Sequence, residues 1–274
     1  MTLTETAYAK INLALHVRAR EASGYHAIET FFAFAEDGDR LTLSDAPGLV
    51  IEGEFAAGLQ ADGDNLVTRA AVAFAEAFGT EARGFRLEKA LPIAAGIGGG
   101  SADAAAALRL LARAEGVTED DPRLMTIAAG LGADVPACLL SRTCRGTGRG
   151  DELASVEPGR LAGMALLLVN PRLPLATGPV FQGWDGQDRG ALAEGDPLDV
   201  ALDARNDLEP PARALRPEID AVLATLRAQA GVVLARMSGS GATCFALFGN
   251  DAARDTAAAA MPAGWWQMAT RVRG

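Results

Sequence analysis

Hydrophobic and polar residues alternate near the start of the chain. Ile11, Leu13, Leu15 and Val17 interleave with Lys10, Asn12, His16 and Arg18. A period of two predicts a strand with one buried face, and it groups Lys10, Asn12 and His16 on the other face, where solvent is expected. A Ser23-Gly24-Tyr25-His26 turn follows, then an apolar run from Ile28 to Phe34 and a separate short strand over 40–44. The period changes after Asp64-Asn65, which reads as a helix N-cap. Leu66, Ala70, Ala73, Phe74 and Ala77 then recur at helical spacing. Residues 84–89 alternate again as a strand. Pro92 and a glycine-rich loop lead into an alanine-rich helix predicted over 101–114, with Ser101 as its N-cap. A helix over 122–129 ends at Gly130 and Gly132.

Beyond Leu161, residues 165–169 form an apolar run of the buried-strand kind, closed by Asn170-Pro171. Residues 183–205, rich in Gly, Asp and Pro, read as irregular. Helical patterns over 207–215 and 217–229 precede strands over 232–235 and 244–248, which flank a Ser-Gly-Ser-Gly turn. A helix after Asn250 and a strand over 266–272 close the chain. Strands and helices mix without strict βαβ alternation, which predicts an α+β fold rather than a doubly wound parallel sheet.

Composition bounds the rest. The chain has 274 residues, 49% apolar and 22% charged, enough to bury a sizeable core and outside the disordered and fibrous classes. The length suits one large domain or two smaller ones. A net charge of -10 repels phosphate backbones, so a nucleic-acid partner is not expected. Lys10, Lys89, His16 and His26 are the only lysines and histidines, so any step that needs one has four candidates. Cys138, Cys144 and Cys244 show no paired spacing and are expected to be free, buried and non-catalytic. The opening Met1 to Lys10 is polar, with no apolar secretory region after it, and no apolar run reaches the roughly 20 residues of a membrane span. The expectation is a soluble cytoplasmic protein with no membrane partner.

The sharpest local signal runs from Leu91 to Ala105. Gly96, Gly98, Gly99 and Gly100 let backbone N–H groups converge on a ligand, and the helix that follows adds its positive end. That is an anion site suited to a phosphate. It is not a Walker A loop, which needs a Gly-Lys-Ser/Thr sequence, nor a Rossmann fingerprint, whose third glycine would stand at Ser101. A second cluster, Ser238-Gly239-Ser240-Gly241, lies between two predicted strands and reads by itself as a hairpin turn. Its presence raises the expectation that both loops face one polyphosphate. Asp134, in Gly132-Ala133-Asp134-Val135-Pro136, follows a helix end, where an acid ordinarily caps the next turn.

Taken in order, these segments resemble the GHMP kinase superfamily of galactokinase, homoserine kinase and mevalonate kinase. Within it the closest resemblance is to the 4-diphosphocytidyl-2-C-methyl-D-erythritol kinase family. The resemblance rests on Ala9-Lys10-Ile11-Asn12-Leu13, Gly24-Tyr25-His26, Asp64-Asn65-Leu66, the loop over 91–105 and Leu131 to Pro136. Asn206-Asp207-Leu208-Glu209 and Ser238 to Thr243 complete it. One departure stands out: Ser101-Ala102-Asp103 replaces the family's Ser-Ser-Asp or Ser-Ser-Asn, so one hydroxyl is missing.

The resemblance implies a two-domain α+β kinase. A ribosomal-S5-like N-terminal ATP-binding domain would cover 1–155 and an α+β C-terminal domain 156–274, with the active site in the cleft between them. It implies ATP and Mg²⁺ as cofactors and a cytidyl-bearing small molecule as acceptor, with no nucleic acid. Lys10 and Asp134 would be catalytic. Pro92, Ala94, Ala95, Gly96, Ile97, Gly98, Gly99, Gly100, Ser101 and Ala102 would hold the ATP phosphates, and Asn65 and Leu66 the adenine end. Asn12, Tyr25, His26, Thr177 and Phe181 would contact the acceptor. Mg²⁺ would be carried mainly by the ATP phosphates, with Ser101 a candidate ligand. Another small-molecule kinase of the superfamily, or a non-catalytic nucleotide-binding protein, fits the same loops.

Overall fold

The computed structural model describes residues 3–44, 46–62 and 64–274. The chain opens with two long paired strands, β1 (Thr4–Arg20) and β2 (His26–Ser44). The expected turn joins them: Gly24, at φ +88°, donates its N–H to the Glu21 carbonyl at 3.0 Å. The two segments expected as separate strands, 28–34 and 40–44, are parts of the continuous β2. Glu36-Asp37-Gly38-Asp39, which lies between those two segments, stays extended. Gly38 serves close approach, since a Cβ there would lie 1.9 Å from the Ala7 carbonyl oxygen.

The chain divides into two compact units, and β1 and β2 contribute residues to both. One comprises Met1–Ala9, Asp37–Ile93 and Gly98–Ser141; the other comprises Lys10–Glu36, Ala94–Ile97 and Arg142–Gly274.

The first unit adds β3 (Leu49–Glu52), α1 (Leu66–Phe78), β4 (Gly84–Glu88), α2 (Gly99–Glu115), α3 (Pro122–Leu131) and α4 (Val135–Leu140). β4 runs antiparallel to the end of β2, with Arg40 opposite Glu88, and parallel to β3, with Leu49 opposite Phe85. The Asn65 cap is as expected: its side chain accepts the Val67 N–H. α2 packs on α1 and α4, and its alanines explain how. Ala102 and Ala104 to Ala107 are all buried, and such small residues let neighbouring helices come close. α2 starts two residues before the expected position. Gly98, not Ser101, is its N-cap, because a left-handed glycine (φ +64°) can turn the chain directly into the helix.

The second unit adds β5 (Cys144–Thr147), β6 (Glu152–Ser155), β7 (Ala165–Asn170), α5 (Thr177–Gln182), α6 (Pro197–Asp203), α7 (Glu209–Leu215), α8 (Glu218–Arg227), β8 (Val232–Met237), β9 (Cys244–Phe248), α9 (Asp251–Ala259) and β10 (Trp266–Arg271). An antiparallel sheet runs β10-β7-β9-β8. Its central strands, β7 and β9, are buried along their whole length, as their unbroken apolar runs require. β5 pairs antiparallel with β2 and β6.

The mostly antiparallel pairing fits α+β and excludes a doubly wound sheet. The stretch expected to be irregular contains α6. Asp196 caps it by accepting the Leu198 and Asp199 N–H groups, and Pro197 sits in its first turn. The expected solvated face of β1 is also corrected: Lys10, Asn12 and His16 are all buried, at 3%, 2% and 3% exposure. Both faces of β1 are covered, and its polar face turns inward to bonded partners. Among the described residues no helix is long and apolar enough to cross a membrane.

Arg236, on β8, holds part of this arrangement. Its guanidinium donates to the carbonyls of Leu13 (2.5 Å), Ala201 (2.8 Å) and Ala204 (2.5 Å), and burial pushes its pKa down to about 10. Arg236→Met leaves those carbonyls in an apolar setting without donors. It should lower unfolding stability by about 3 kcal/mol. Urea denaturation checks this, and a loss below about 1 kcal/mol would contradict it.

Candidate active site

In the first unit the glycine loop delivers the chain into α2. Ala102 donates its N–H to the Gly98 carbonyl at 2.8 Å, which closes the first turn. No side chain caps this 17-residue helix, and its first turn carries no acid. The first-turn N–H groups of Gly99, Gly100 and Ser101 therefore lack the side-chain acceptor such groups usually have, which suits an anion. Asn65 and Leu66 lie at this end: a Cβ on Gly100 would be 3.7 Å from Leu66 Cδ1. The Asn65 side chain is occupied locally, accepting from Val67 and donating to the Gln60 carbonyl. Asp134 takes the N-cap position of α4, half-buried, but makes no capping bond.

In the second unit the two glycine segments dock on each other. Ser238 Oγ donates to the Gly96 carbonyl at 2.9 Å, and Thr243 N–H donates to the Ala95 carbonyl at 3.1 Å. Gly96 has φ +75°, and a Cβ there would lie 2.5 Å from the Ser238 carbonyl oxygen and 2.7 Å from the Gly241 nitrogen. Gly239 is equally tight against the Gly96 carbonyl oxygen, at 2.9 Å. The contact exists because neither side carries a side chain.

Asn12 joins the same cluster. Its N–H donates to Ser238 Oγ at 3.1 Å, and its Nδ2 donates to Thr30 Oγ1 at 2.9 Å. Its Oδ1 accepts from Lys10 Nζ at 3.1 Å, and that ammonium also lies 4.5 Å from the Phe32 ring centre. Lys10 N–H donates to the Ile97 carbonyl at 3.0 Å. Thr177, exposed at the start of α5, shares a hydrogen bond of 3.0 Å with Ser240. Lys10, Asn12, Thr177 and the loop residues 94–97 thus meet around the second glycine cluster.

The aromatic group forms a separate patch. The His26 ring lies 5.1 Å from Phe181, tilted by 38°, and 5.8 Å from Trp184, edge-on at 85°. Burial, then Arg20, lowers the His26 pKa, so its ring is neutral at pH 7 and has one donor and one acceptor nitrogen. Tyr25 is 57% exposed and stacks under Arg149 at 5.1 Å. Sequence reasoning missed Trp184, which contacts His26 from outside any motif. It also missed Lys89, which is buried between Asp39 and Asp103; its rarity in a chain of two lysines was the one available signal. The three cysteines are free and buried, and burial pushes Cys144 up to about 11, so its thiol stays protonated. Among the described residues no cluster of His, Cys, Asp and Glu could hold a metal.

Comparison with known proteins decides the family. The model of the GHMP kinases N terminal domain matches residues 65–142, and that of the GHMP kinases C terminal matches residues 189–265. The 4-diphosphocytidyl-2-C-methyl-D-erythritol kinase of Rhizorhabdus wittichii is 59% identical, over 98% of this chain and 94% of its own length. This chain belongs to the GHMP kinases. The 4-diphosphocytidyl-2-C-methyl-D-erythritol kinase of Novosphingobium aromaticivorans is 54% identical, over all of this chain and 94% of its own length. A solved 4-(cytidine 5'-diphospho)-2C-methyl-D-erythritol kinase superposes with a TM-score of 0.83 at 34% identity, covering 99% of this chain and 100% of that one. A homoserine kinase from Cytophaga hutchinsonii shares the fold, with a TM-score of 0.72 at 20% identity over 99% of this chain and 95% of its own. The GHMP kinase fold is therefore the two-domain α+β arrangement expected, and the chain is an ATP-dependent kinase.

Gly96→Ala tests the loop docking. The added Cβ meets backbone that has no rotamer to yield, in a left-handed conformation. The variant should lose about 1–3 kcal/mol of stability and bind ADP more weakly. Thermal melts and calorimetry check this; an unchanged melt with unchanged ADP affinity would contradict it.

Proposed function

We propose that the chain transfers the γ-phosphoryl group of ATP to the 2-hydroxyl of 4-(cytidine 5′-diphospho)-2-C-methyl-D-erythritol, a step of the non-mevalonate route to isoprenoid precursors. The observation that carries this reading is the full-length likeness to kinases of that name, joined to the presence of Lys10, Asp134 and the His26–Phe181 pair. The division we propose falls at 155/156, an ATP-binding domain before it and a second domain after it; the two matched family models lie on either side.

Phosphoryl transfer depends on positioning and on neutralising charge. The loop amides from Gly96 to Ser101 hold the triphosphate, with Pro92, Ala94, Ala95 and Ala102 framing them and Asn65 and Leu66 at the adenine end. Asp134 accepts the proton of the acceptor hydroxyl as its oxygen attacks phosphorus. Lys10 offsets negative charge on the phosphoryl group in flight, and Asn12 holds both the Lys10 ammonium and the acceptor. Tyr25, His26 and Phe181 receive the cytosine: the rings stack on it, and the neutral imidazole meets its polar edge. Thr177 contacts the acceptor beside Ser240.

The donor set offered at the start of α2, the Ser101 hydroxyl with no acid in the first turn beside it, fits a Mg²⁺ ion that would arrive on the nucleotide phosphates, with Ser101 as its protein ligand. Bound there, it would supply charge neutralisation at the phosphate oxygens. Ala102 offers no second hydroxyl.

Asp134→Asn should lower kcat by about 10²- to 10⁴-fold while leaving ATP affinity nearly unchanged. Lys10→Ala should also depress kcat, and the double variant should lose less than the product of the two single losses. Single-turnover rates check both; near-wild-type chemistry in Asp134→Asn removes it as the base. His26→Ala should raise the KM of the cytidyl acceptor about 5- to 150-fold, the worth of one base contact, with little change for ATP. Equal changes in both KM values would assign His26 a structural role instead.

A further inference from the structure

The indole of Trp184 has no part in the mechanism above, yet it touches one residue that does. His26 is buried at the start of β2. Among the described residues nothing hydrogen-bonds its ring nitrogens, so packing alone sets the plane of the imidazole. The last torsion of a histidine is broad and roughly two-fold, and an unsupported ring turns about it. Two rings support this one. Phe181 stands 5.1 Å away, tilted by 38°, and Trp184 stands 5.8 Å away at 85°. The second contact is an edge-on pair within the range such rings prefer. Turning the imidazole would lose that geometry, so the indole resists the turn.

The chain fixes the indole in turn. Phe181 lies in the last turn of α5 and Trp184 three residues on, a spacing that puts both rings on one side. Trp184 N–H donates to the Phe181 carbonyl at 3.2 Å, and Gly183 N–H donates to the carbonyls of Pro179 and Val180, each at 3.1 Å. Gly183 lets this end press against α7, since a Cβ there would lie 2.9 Å from Pro211 Cβ. Further on, Leu192 N–H donates to Glu29 Oε2 at 2.9 Å. Arg145 joins the two, donating to Glu29 Oε2 at 2.8 Å and to the Leu192 carbonyl at 2.7 Å. The segment after Trp184 is thereby tied to β2 and β5. Two features show that the indole does more than fill space. Its N–H is buried with no hydrogen-bond partner. An unsatisfied donor lowers stability, so a side chain present only for packing would be apolar throughout. The indole also lines a cavity of about 420 Å³, together with Arg205, Pro210 and Pro211. A small residue at 184 would leave that space open beside His26 and the ring free to turn.

We propose that Trp184 is a positioning residue for the acceptor: its edge holds the His26 imidazole in the plane that presents a ring nitrogen to the nucleobase. The inference rests on the reading that His26 meets the cytosine. A ring already in its binding plane loses little freedom when the base arrives. The effect therefore belongs to acceptor affinity and not to phosphoryl transfer.

Steady-state kinetics with the cytidyl acceptor test this. Trp184→Leu keeps apolar bulk but has no ring edge. Its acceptor KM should rise about two- to tenfold, the worth of one edge-on pair, with kcat and the ATP KM unchanged. Trp184→Phe keeps the edge, and its acceptor KM should stay within about twofold of wild type. In a His26→Ala background Trp184→Leu should add nothing, because the ring it orients is gone. An equal rise in both backgrounds, or equal acceptor KM values for the Leu and Phe variants, overturns the proposal. If Trp184→Leu does not fold, nuclear Overhauser contacts in the wild-type enzyme replace it. Contacts between the His26 ring protons and the indole that persist when the acceptor binds support the proposal; their loss on binding overturns it. A raised acceptor KM in His26→Ala with a wild-type value in Trp184→Leu removes this inference alone. An unchanged acceptor KM in His26→Ala overturns the reading of the base pocket and this inference with it.

Discussion

Two glycine segments meet backbone to backbone in the second unit, and the local site is built around that contact. Gly96 and Gly239 approach carbonyl oxygens at distances no side chain would allow. Ser238 bonds both sides, donating to Gly96 and accepting from Asn12. Through Asn12 the contact reaches Lys10, and through Ser240 it reaches Thr177. Asn206 secures the other side, its amide donating to the carbonyls of Met237 and Gly239 at 2.9 and 2.8 Å. Polar residues of the predicted site thus owe their positions to an absence of side chains.

The charge distribution follows the same economy. A chain of net charge -10 handles a triphosphate, and its matched loop contains no lysine or arginine. Backbone amides and a helix end supply positive potential without mobile side chains. The Lys89 ammonium near the start of α2 is spent on two carboxylates.

Much of this was legible in the sequence. The Asn65 cap, the helix after the glycine loop, the antiparallel pair around Ser238 to Thr243 and the run at 165–169 follow from local rules. What escaped depends on packing between distant residues. Period two placed Lys10, Asn12 and His16 on one face correctly, but periodicity cannot say that partners such as Thr30 and Gly190 bury that face. That 28–34 and 40–44 form one strand also depends on distant packing, with Gly38 extended against the Ala7 carbonyl. Asp39, Lys89 and Asp103 lie too far apart along the chain for any spacing rule, and Trp184 sits in a stretch whose composition suggested irregular structure. The motifs carried the family; the supports of those motifs required coordinates.

The central claim is that these loops serve a cytidyl-bearing acceptor. ADP release by the purified enzyme, measured with ATP and Mg²⁺ against the cytidyl substrate, homoserine and mevalonate in parallel, tests it most directly. The account predicts rapid turnover with the cytidyl substrate alone. Comparable or faster turnover of homoserine or mevalonate, or no ADP release with the cytidyl acceptor, would contradict it.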